Sequence, residues 1–97
     1  MKREELLQTA ASITKGARQE HYGSPEDNFK NIADYWQLYL SQRFEGAAGD
    51  LSSTDVAAMM ILMKLARIVH DPHHDDSWID IAGYAACGSQ CAETSNG

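Results

Sequence analysis

Apolar residues recur near the start of the chain with the spacing of one helical face. Leu6, Ala10, Ile13 and Ala17 follow one another at intervals of three and four residues, which places them on one stripe of an α-helix. This pattern predicts a first helix over residues 3–20. Gly23, just beyond it, can adopt the left-handed conformation that often ends a helix.

A second amphipathic helix is predicted to begin in the segment GSPED, residues 23–27, and to run to about residue 43. The segment ends one helix with glycine and begins the next with a serine cap, a proline and two acidic residues, which suit the positive end of the helix dipole. The predicted buried face of this helix consists of Phe29, Ile32, Ala33, Trp36 and Leu40.

The third predicted helix is apolar nearly all the way round. It begins after Leu51, with Ser52 as its cap, and continues to about His70, where Asp71 and Pro72 end it. A helix with this composition is either the central helix of a bundle or an oligomer interface.

A fourth helix is predicted from near Asp76 and Ser77 to about Ala92, and its many small side chains allow another helix to approach closely. The chain is therefore expected to be all-α, a compact four-helix domain over residues 1–92 with a frayed tail over 93–97. Because 97 residues bury only a modest core, we also expect a homo-oligomer.

Ser-x-x-Asp occurs three times, each time at a predicted helix start. The pairs are Ser24 with Asp27, Ser52 with Asp55, and Ser77 with Asp80. Helix capping explains all three aspartates without any further function.

The net charge and the cysteine content limit which partners and which cellular location the chain can have. A net charge of −6 argues against binding a DNA or RNA duplex or an anionic membrane, since both require clustered Lys and Arg. No apolar run reaches the length of a membrane span, and no signal peptide opens the sequence. Cys87 and Cys91 lie four residues apart on a helix, with poor geometry for a disulfide. We therefore expect reduced thiols and a cytoplasmic location.

Two cations, Lys64 and Arg67, interrupt the apolar third helix on one face. One interpretation is a clamp for a phosphate group. The other is that both side chains reach solvent at the bundle edge and form internal salt bridges, with Asp55, Asp76 or Asp80 as partners.

Asp76 and Asp80 lie four residues apart, so their carboxylates repel unless a cation joins them. That cation could be Mg²⁺, with Asp55 as a third ligand, or the Lys64 and Arg67 pair. Phosphate on the cations and Mg²⁺ on the carboxylates would make a nucleotide site. Capping and structural ion pairs are the alternative.

Three further residues are candidate ligand contacts. Asn28 lies inside a helix, where asparagine has poor propensity, so it either hydrogen-bonds a ligand or the preceding turn. Tyr22 either stacks on a base or packs on Trp36. Tyr84 follows Asp80 by one helical turn and either hydrogen-bonds it or contacts a ligand.

Several motifs together resemble a family of small phage and prophage proteins with a domain of unknown function. The resemblance covers about residues 4–91 and rests on YGSPEDNFKNIADYW, SSTDVAAMMILMKLARI and DDSWIDIAGYAA. The same order of motifs is similar to the phage nucleotide-modification-associated domain. More remotely, it resembles the all-α nucleoside triphosphate pyrophosphohydrolases of the MazG type.

The remote resemblance implies a dimeric or tetrameric helical assembly that holds Mg²⁺ and a nucleotide. Active MazG-type proteins use a Glu-x-x-Glu pair on one helix and Glu-x-x-Asp on another. This chain has no Glu-x-x-Glu facing a core, and Asp76 with Asp80 would supply half of such a metal site.

Three functions are therefore open. In the first, Lys64 and Arg67 hold the phosphates, and Asp76 and Asp80 with Mg²⁺ orient water to cleave a nucleoside triphosphate into monophosphate and pyrophosphate. In the second, a phage protein in the host cytoplasm sequesters a host signalling nucleotide, including a cyclic nucleotide, as an anti-defence binder without chemistry. In the third, the methionine-rich helix docks on a host enzyme and inhibits it.

Overall fold

A computed structural model describes residues 1–15, 23–43, 45 and 50–94 of the chain, and within them it contains helices and turns but no strand. The helices are α1 (Arg3–Ile13), α2 (Pro25–Arg43), α3 (Ser53–His70) and α4 (Asp75–Thr94). The predicted all-α class with four helices is confirmed for these residues. The homo-oligomer stays a prediction.

The helices pack around α4, which contacts α1, α2 and α3, while α2 also packs on α3. The interpretation of α3 as the central helix is therefore wrong. The small side chains of α4 explain its place, because they let neighbouring helices approach it closely. Gly88 of α4, for instance, lies directly against the side chain of Ala57 in α3. The apolar outer side of α3 is left without a neighbour among the described helices.

The core is built from few and mostly small side chains. Phe29 and Ala33 of α2 are buried, as the sequence pattern predicts for this face. They join a cluster with Val56, Ala57 and Cys91. Partly buried side chains surround the cluster, namely Ile32, Trp36, Leu51, Met60, Tyr84 and Cys87.

Two of the three predicted helix caps are confirmed. The Asp27 amide donates to Ser24 Oγ at 3.2 Å, and Gly23 before it has a φ of 80°, the left-handed conformation expected of it. At α3, the Asp55 amide donates to Ser52 Oγ at 3.2 Å and the Ser52 amide donates to Asp55 Oδ2 at 2.9 Å. Aspartate thus completes a reciprocal capping box here.

The third predicted cap, Ser77 with Asp80, is wrong. Helix α4 begins at Asp75, so Ser77 lies inside the first turn, where its amide donates to the His74 carbonyl at 3.1 Å. The Ser77 side chain is fully buried and its Oγ lies 2.9 Å from His74 Nδ1. The preceding turn sets this early start, since the indole of Trp78 donates to the Pro72 carbonyl at 2.9 Å.

Helix α1 ends at Ile13, whereas the sequence pattern predicts one helix through residue 20. Thr14 hydrogen-bonds its own side chain to the Ala11 carbonyl at 3.0 Å, and the Lys15 amide donates to the Ser12 carbonyl at 3.4 Å. The Lys15 backbone bond spans three residues instead of four, so the last turn tightens there and the α-helical pattern stops. Ala17 and the rest of the predicted extension fall outside the described residues.

At the other end, α4 continues to Thr94, two residues past its predicted end, and residues 95–97 of the predicted tail fall outside the described ranges. No helix in the described part of the chain is both long and apolar enough to cross a membrane.

Candidate functional site

A half-open cavity of about 170 Å³ lies between α1, α2 and α4, with one contact from α3. Most of its wall is apolar. The polar groups that reach it come from Thr14, Asn28, Asp80 and Tyr84. The complete lining is Ala10, Ile13, Thr14, Gly23, Pro25, Asn28, Phe29, Ile32, Met60, Ile79, Asp80, Gly83, Tyr84 and Cys87.

The contribution of α4 to this cavity follows from helical periodicity. Asp80, Gly83, Tyr84 and Cys87 line the wall, and their spacing of three, one and three residues is that of a single helical face. Sequence reasoning identifies Asp80 and Tyr84 on this face but misses Gly83 and Cys87. The same spacing rule, extended from Asp80 along α4, would have found both.

An ion pair fixes the carboxylate at the edge of the cavity. Lys64 Nζ lies 2.8 Å from Asp80 Oδ2, and the two side chains are 15% and 29% exposed. A pair this sheltered is worth more than the roughly 0–1 kcal/mol of an exposed pair and less than the roughly 3–5 kcal/mol lost on breaking a buried one. The internal salt bridge expected for Lys64 is therefore present, and Asp80 is its partner.

Arg67 lies elsewhere. It is exposed and lines a second, more open cleft near the turn between α3 and α4, together with Met63, Ala66, His70, Asp71 and His74. The structure thus brings Lys64 to the edge of the first cavity through Asp80, and Arg67 to a different cleft. The two cations do not converge on one cavity.

The three carboxylates expected to hold Mg²⁺ have different surroundings. Asp55 is occupied by the α3 capping box, Asp80 pairs with Lys64, and Asp76 is exposed in the first turn of α4. Within the described ranges, no group of three or more His, Cys, Asp or Glu side chains is placed to hold a metal ion. The Mg²⁺ site stays a prediction.

Asn28 and Tyr84 both lie where a ligand could reach them. Asn28 lines the cavity from the first turn of α2, and Tyr84 lines it from α4. The Tyr84 ring lies with its centroid 6.2 Å from that of Phe29, tilted by 45°, an arrangement typical of stabilising aromatic pairs. Tyr22, the third candidate ligand contact, falls outside the described residues.

Residues from the three stretches that carry the family resemblance therefore meet in space. Gly23, Asn28 and Phe29 come from YGSPEDNFKNIADYW and Asp80 comes from DDSWIDIAGYAA, and all four line one cavity. Lys64, from SSTDVAAMMILMKLARI, pairs with Asp80. Fold and site together define a small all-helical domain with a ligand-sized, mostly apolar cavity.

The chain belongs to the family described as a domain of unknown function, DUF6378, which it matches over residues 5–92. Two curated relatives are similar to it, each named Gene 55 protein. The one from Mycobacterium phage D29 is 42% identical over 84 residues, which cover 87% of this chain and 51% of the relative. The one from Mycobacterium phage L5 is 39% identical over 80 residues, which cover 82% of this chain and 47% of the relative.

The expected resemblance to a small phage family of unknown function is thus confirmed. The chain spans about half the length of these curated relatives. No solved structure matches the chain.

Proposed function

We propose that this domain binds a nucleotide, with the base in the cavity between α1, α2 and α4 and the phosphates at its opening. One observation carries the proposal. Two of the stretches that carry the family resemblance line the same cavity, one through Gly23, Asn28 and Phe29 and the other through Asp80 and Tyr84. Ligand sites typically form where a few polar groups from different segments converge on a mostly apolar cavity.

The size of the cavity fits one planar ring system. An apolar protein cavity of roughly 150 Å³ holds benzene, and this one measures about 170 Å³ with an open side. A base would therefore enter and the sugar and phosphates would stay outside. Phe29 and Tyr84 offer aromatic surfaces, Asn28 offers both a donor and an acceptor, and Asp80 accepts a hydrogen bond from an amino group.

The ion pair with Asp80 does not remove Lys64 from ligand binding. An ammonium group carries three N–H donors, and the bond to Asp80 Oδ2 uses one of them. Lys64 can therefore hold Asp80 and a phosphate oxygen together. Arg67 follows it by one helical turn and would meet only the outermost part of an extended phosphate chain.

The surroundings of the carboxylates support binding over hydrolysis. Mg²⁺ takes oxygen ligands in near-ideal octahedral geometry, yet Asp55 caps α3 and Asp80 is held by Lys64. We therefore place sequestration of a nucleotide, including a cyclic signalling nucleotide, ahead of a MazG-like pyrophosphohydrolase activity. The chain is similar to phage proteins, and the ligand class that we propose is a host signalling nucleotide.

The first experiment is a thermal-shift screen of the purified chain against nucleoside mono-, di- and triphosphates and cyclic nucleotides, with Mg²⁺ and with EDTA. A ligand that binds the native state raises the melting temperature, and calorimetry then gives its Kd. Chromatography of each mixture shows whether the ligand is intact. We expect a shift that survives EDTA and an intact ligand. If no nucleotide causes a shift, the proposal is wrong.

A matched pair of variants locates the site. Asn28→Leu keeps the size of the side chain and removes its polar groups from the cavity wall, whereas Asn31→Leu makes the same change at an exposed position of α2. We expect at least about tenfold weaker binding for the first, from the loss of a hydrogen bond worth roughly 1.5 kcal/mol, and no change for the second. Equal affinities would place the ligand elsewhere.

The same experiment also tests whether the domain hydrolyses the nucleotide. Mg²⁺-dependent appearance of monophosphate and pyrophosphate would replace sequestration with a pyrophosphohydrolase. In that case Asp80→Asn should abolish turnover, because the carboxylate would act on the metal and its water. Asp34→Asn, at an exposed carboxylate of α2 that pairs with Lys30, is the control.

A further inference from the structure

The polar groups in the wall of the cavity differ in whether they can donate a hydrogen bond. A carboxylate can only accept, so Asp80 is an acceptor in this wall. The Thr14 hydroxyl already donates to the Ala11 carbonyl at 3.0 Å, so it too has only acceptor capacity left. The Asn28 amide and the Tyr84 hydroxyl can each donate or accept. A ligand that satisfies this wall must therefore bring donors to it.

The Asp80 carboxylate can accept further hydrogen bonds from a ligand. Its ion pair joins Oδ2 to Lys64 Nζ at 2.8 Å, and its side chain has no other hydrogen-bond or ion-pair partner among the described residues. A carboxylate accepts about four hydrogen bonds, so Oδ1 and one side of Oδ2 are available. The ion pair is sheltered, with side chains 15% and 29% exposed, and it holds the carboxylate in one orientation.

Nucleobases differ in the order of donors and acceptors along the edge that does not carry the sugar. Guanine has two adjacent donors there, a ring N–H and an exocyclic amino group, whose spacing matches the two oxygens of a carboxylate. Adenine and cytosine have an amino group beside a ring nitrogen that accepts, and uracil has a ring N–H between two carbonyls. In these bases an acceptor would face one carboxylate oxygen and leave it unpaired. A carboxylate in the wall therefore favours guanine.

The size of the cavity determines which edge of the base meets the wall. The cavity measures about 170 Å³, which is room for one ring. With the sugar and phosphates outside, a purine enters with the edge of its six-membered ring, the edge farthest from the sugar. Phe29 and Tyr84, whose ring centroids lie 6.2 Å apart, offer aromatic surface in the same wall, and flat bases are commonly bound by such surfaces.

We infer that the domain selects guanine nucleotides and that Asp80 is the residue that determines this specificity. The inference rests on the proposed function and deepens it, because it names the base of the nucleotide. Asp80 accepts from the ring N–H and from the amino group of guanine, while Lys64 holds the carboxylate in place. Asn28 and Tyr84, which can donate or accept, strengthen binding without choosing the base.

The first test compares four nucleotides that differ only along this edge of the base. GMP, IMP, XMP and AMP carry the same sugar and phosphate, and NMR titration in EDTA gives the Kd of each for the wild-type chain. We expect IMP, which lacks the amino group of guanine, to bind at least about tenfold more weakly than GMP, because it loses one hydrogen bond to a charged group. XMP and AMP should bind more weakly still, because each presents an acceptor to a carboxylate oxygen.

The second test is that Asp80→Asn should invert the order of the bases. The amide offers one acceptor and one donor, which match the ring N–H and the adjacent carbonyl of xanthine, so XMP should bind this variant more tightly than GMP. Lys64→Met removes the ion pair but keeps the carboxylate, and Asp34→Asn makes the same change at an exposed carboxylate of α2. Both controls should keep GMP ahead of XMP. The order of Kd values within one variant does not depend on how far the substitution changes the overall affinity.

Three outcomes would overturn the inference. The first is equal binding of GMP and AMP, which would leave nucleotide binding in place without guanine specificity. The second is a preference for GMP that Asp80→Asn leaves unchanged, which would mean that another group reads the base. The third is that none of the four binds while another nucleotide raises the melting temperature, which would mean that the cavity does not recognise a guanine base. If no nucleotide raises the melting temperature, the proposed function is wrong as well.

Discussion

Helix α4 contains two neighbouring segments, called here its cavity half and its packed half, that pack differently although each has one glycine and one cysteine. The cavity half, residues 80–87, lines the ligand-sized opening with Asp80, Gly83, Tyr84 and Cys87. The packed half, residues 88–91, sets Gly88 against Ala57 and buries Cys91 completely. Each half contains one glycine and one cysteine, so the helix itself offers a matched comparison.

The difference in packing between the two halves comes from the residues that face them and not from α4 itself. A Cβ added to Gly88 would lie 2.8 Å from the Ala57 Cβ, closer than such atoms pack, whereas one added to Gly83 would lie 3.5 Å from Thr14 Cγ2, an ordinary contact. The neighbour of Gly83 is Thr14, just past the end of α1 at Ile13, whereas the neighbour of Gly88 is Ala57, inside α3. Only Gly88 therefore has no room for a side chain.

The largest expected effect is on Gly88. Gly88→Ala should lower the free energy of unfolding by about 1–2 kcal/mol, because overpacking of a tight contact typically costs about 1–3 kcal/mol and the better helix propensity of alanine offsets part of it. Urea denaturation followed by circular dichroism measures the change. A variant as stable as wild type would mean that α3 and α4 can move apart without loss.

The control for Gly88→Ala removes the atom it would meet. Ala57→Gly deletes the facing Cβ, so the double variant should be more stable than the sum of the two single changes predicts. Residues in contact show interaction energies of roughly 0.5–3 kcal/mol in such a cycle. Strict additivity would contradict the close approach of Gly88 to Ala57.

The two cysteines sharpen the comparison through their reactivity. Both are reduced thiols, Cys87 partly buried on the cavity wall and Cys91 fully buried. Burial raises the pKa of the Cys91 thiol, the charge of Glu26 adds to the rise, and a hydrogen bond with Ser53 opposes it. Because the thiolate is the reactive form, we expect iodoacetamide to modify Cys87 at least about tenfold faster, with Cys91 reacting through local opening.

Variants with a single cysteine allow the labelling rate of each thiol to be measured separately. Cys91→Ala reports Cys87 and Cys87→Ala reports Cys91, each followed by mass spectrometry. The raised pKa of Cys91 also means that the free energy of unfolding falls with rising pH in the alkaline range. The folded state keeps a proton on Cys91 that the unfolded state loses above its ordinary pKa of 9.0. This contribution is complete below that pH and is lost as the pH rises towards the folded pKa. Equal rates of iodoacetamide labelling at Cys87 and Cys91 would contradict the difference in packing between the two halves of α4.

Local sequence patterns predicted most of the fold. The starts of α2 and α3 follow from Ser24 and Ser52, which cap as expected, and the buried face of α2 follows from its helical spacing. The wrong expectations depended on local hydrogen bonds that apolar spacing does not show. Ser77 was expected to cap α4, but it lies inside the first turn of the helix beside His74. The early end of α1 is likewise accompanied by hydrogen bonds between residues three apart.

Only some residues of the candidate site were predictable from the sequence, and their arrangement was not. Asp80, Asn28 and Tyr84 were identified, and they line one cavity. The sequence offered three acidic partners for Lys64, and only packing of α3 against α4 could choose Asp80. Helical spacing placed Lys64 and Arg67 on one face, yet one turn of helix is enough to send them to different clefts, because α4 passes beside the first and the α3–α4 turn beside the second.

The smallest expected effect is that of Gly83→Ala, and it tests most directly whether the cavity half of α4 is packed less tightly than the packed half. Gly83→Ala should raise the free energy of unfolding by about 0.5–1 kcal/mol, because alanine is the better helix residue and its Cβ meets Thr14 at an ordinary distance of 3.5 Å. The same methyl group enters the cavity wall and should weaken ligand binding. Ser89→Ala, at an exposed position of α4, is the control, with a gain of about 0.5 kcal/mol and unchanged binding. A destabilised Gly83→Ala would mean that α1 packs on α4 as closely as α3 does, and the cavity would then be too narrow for a base.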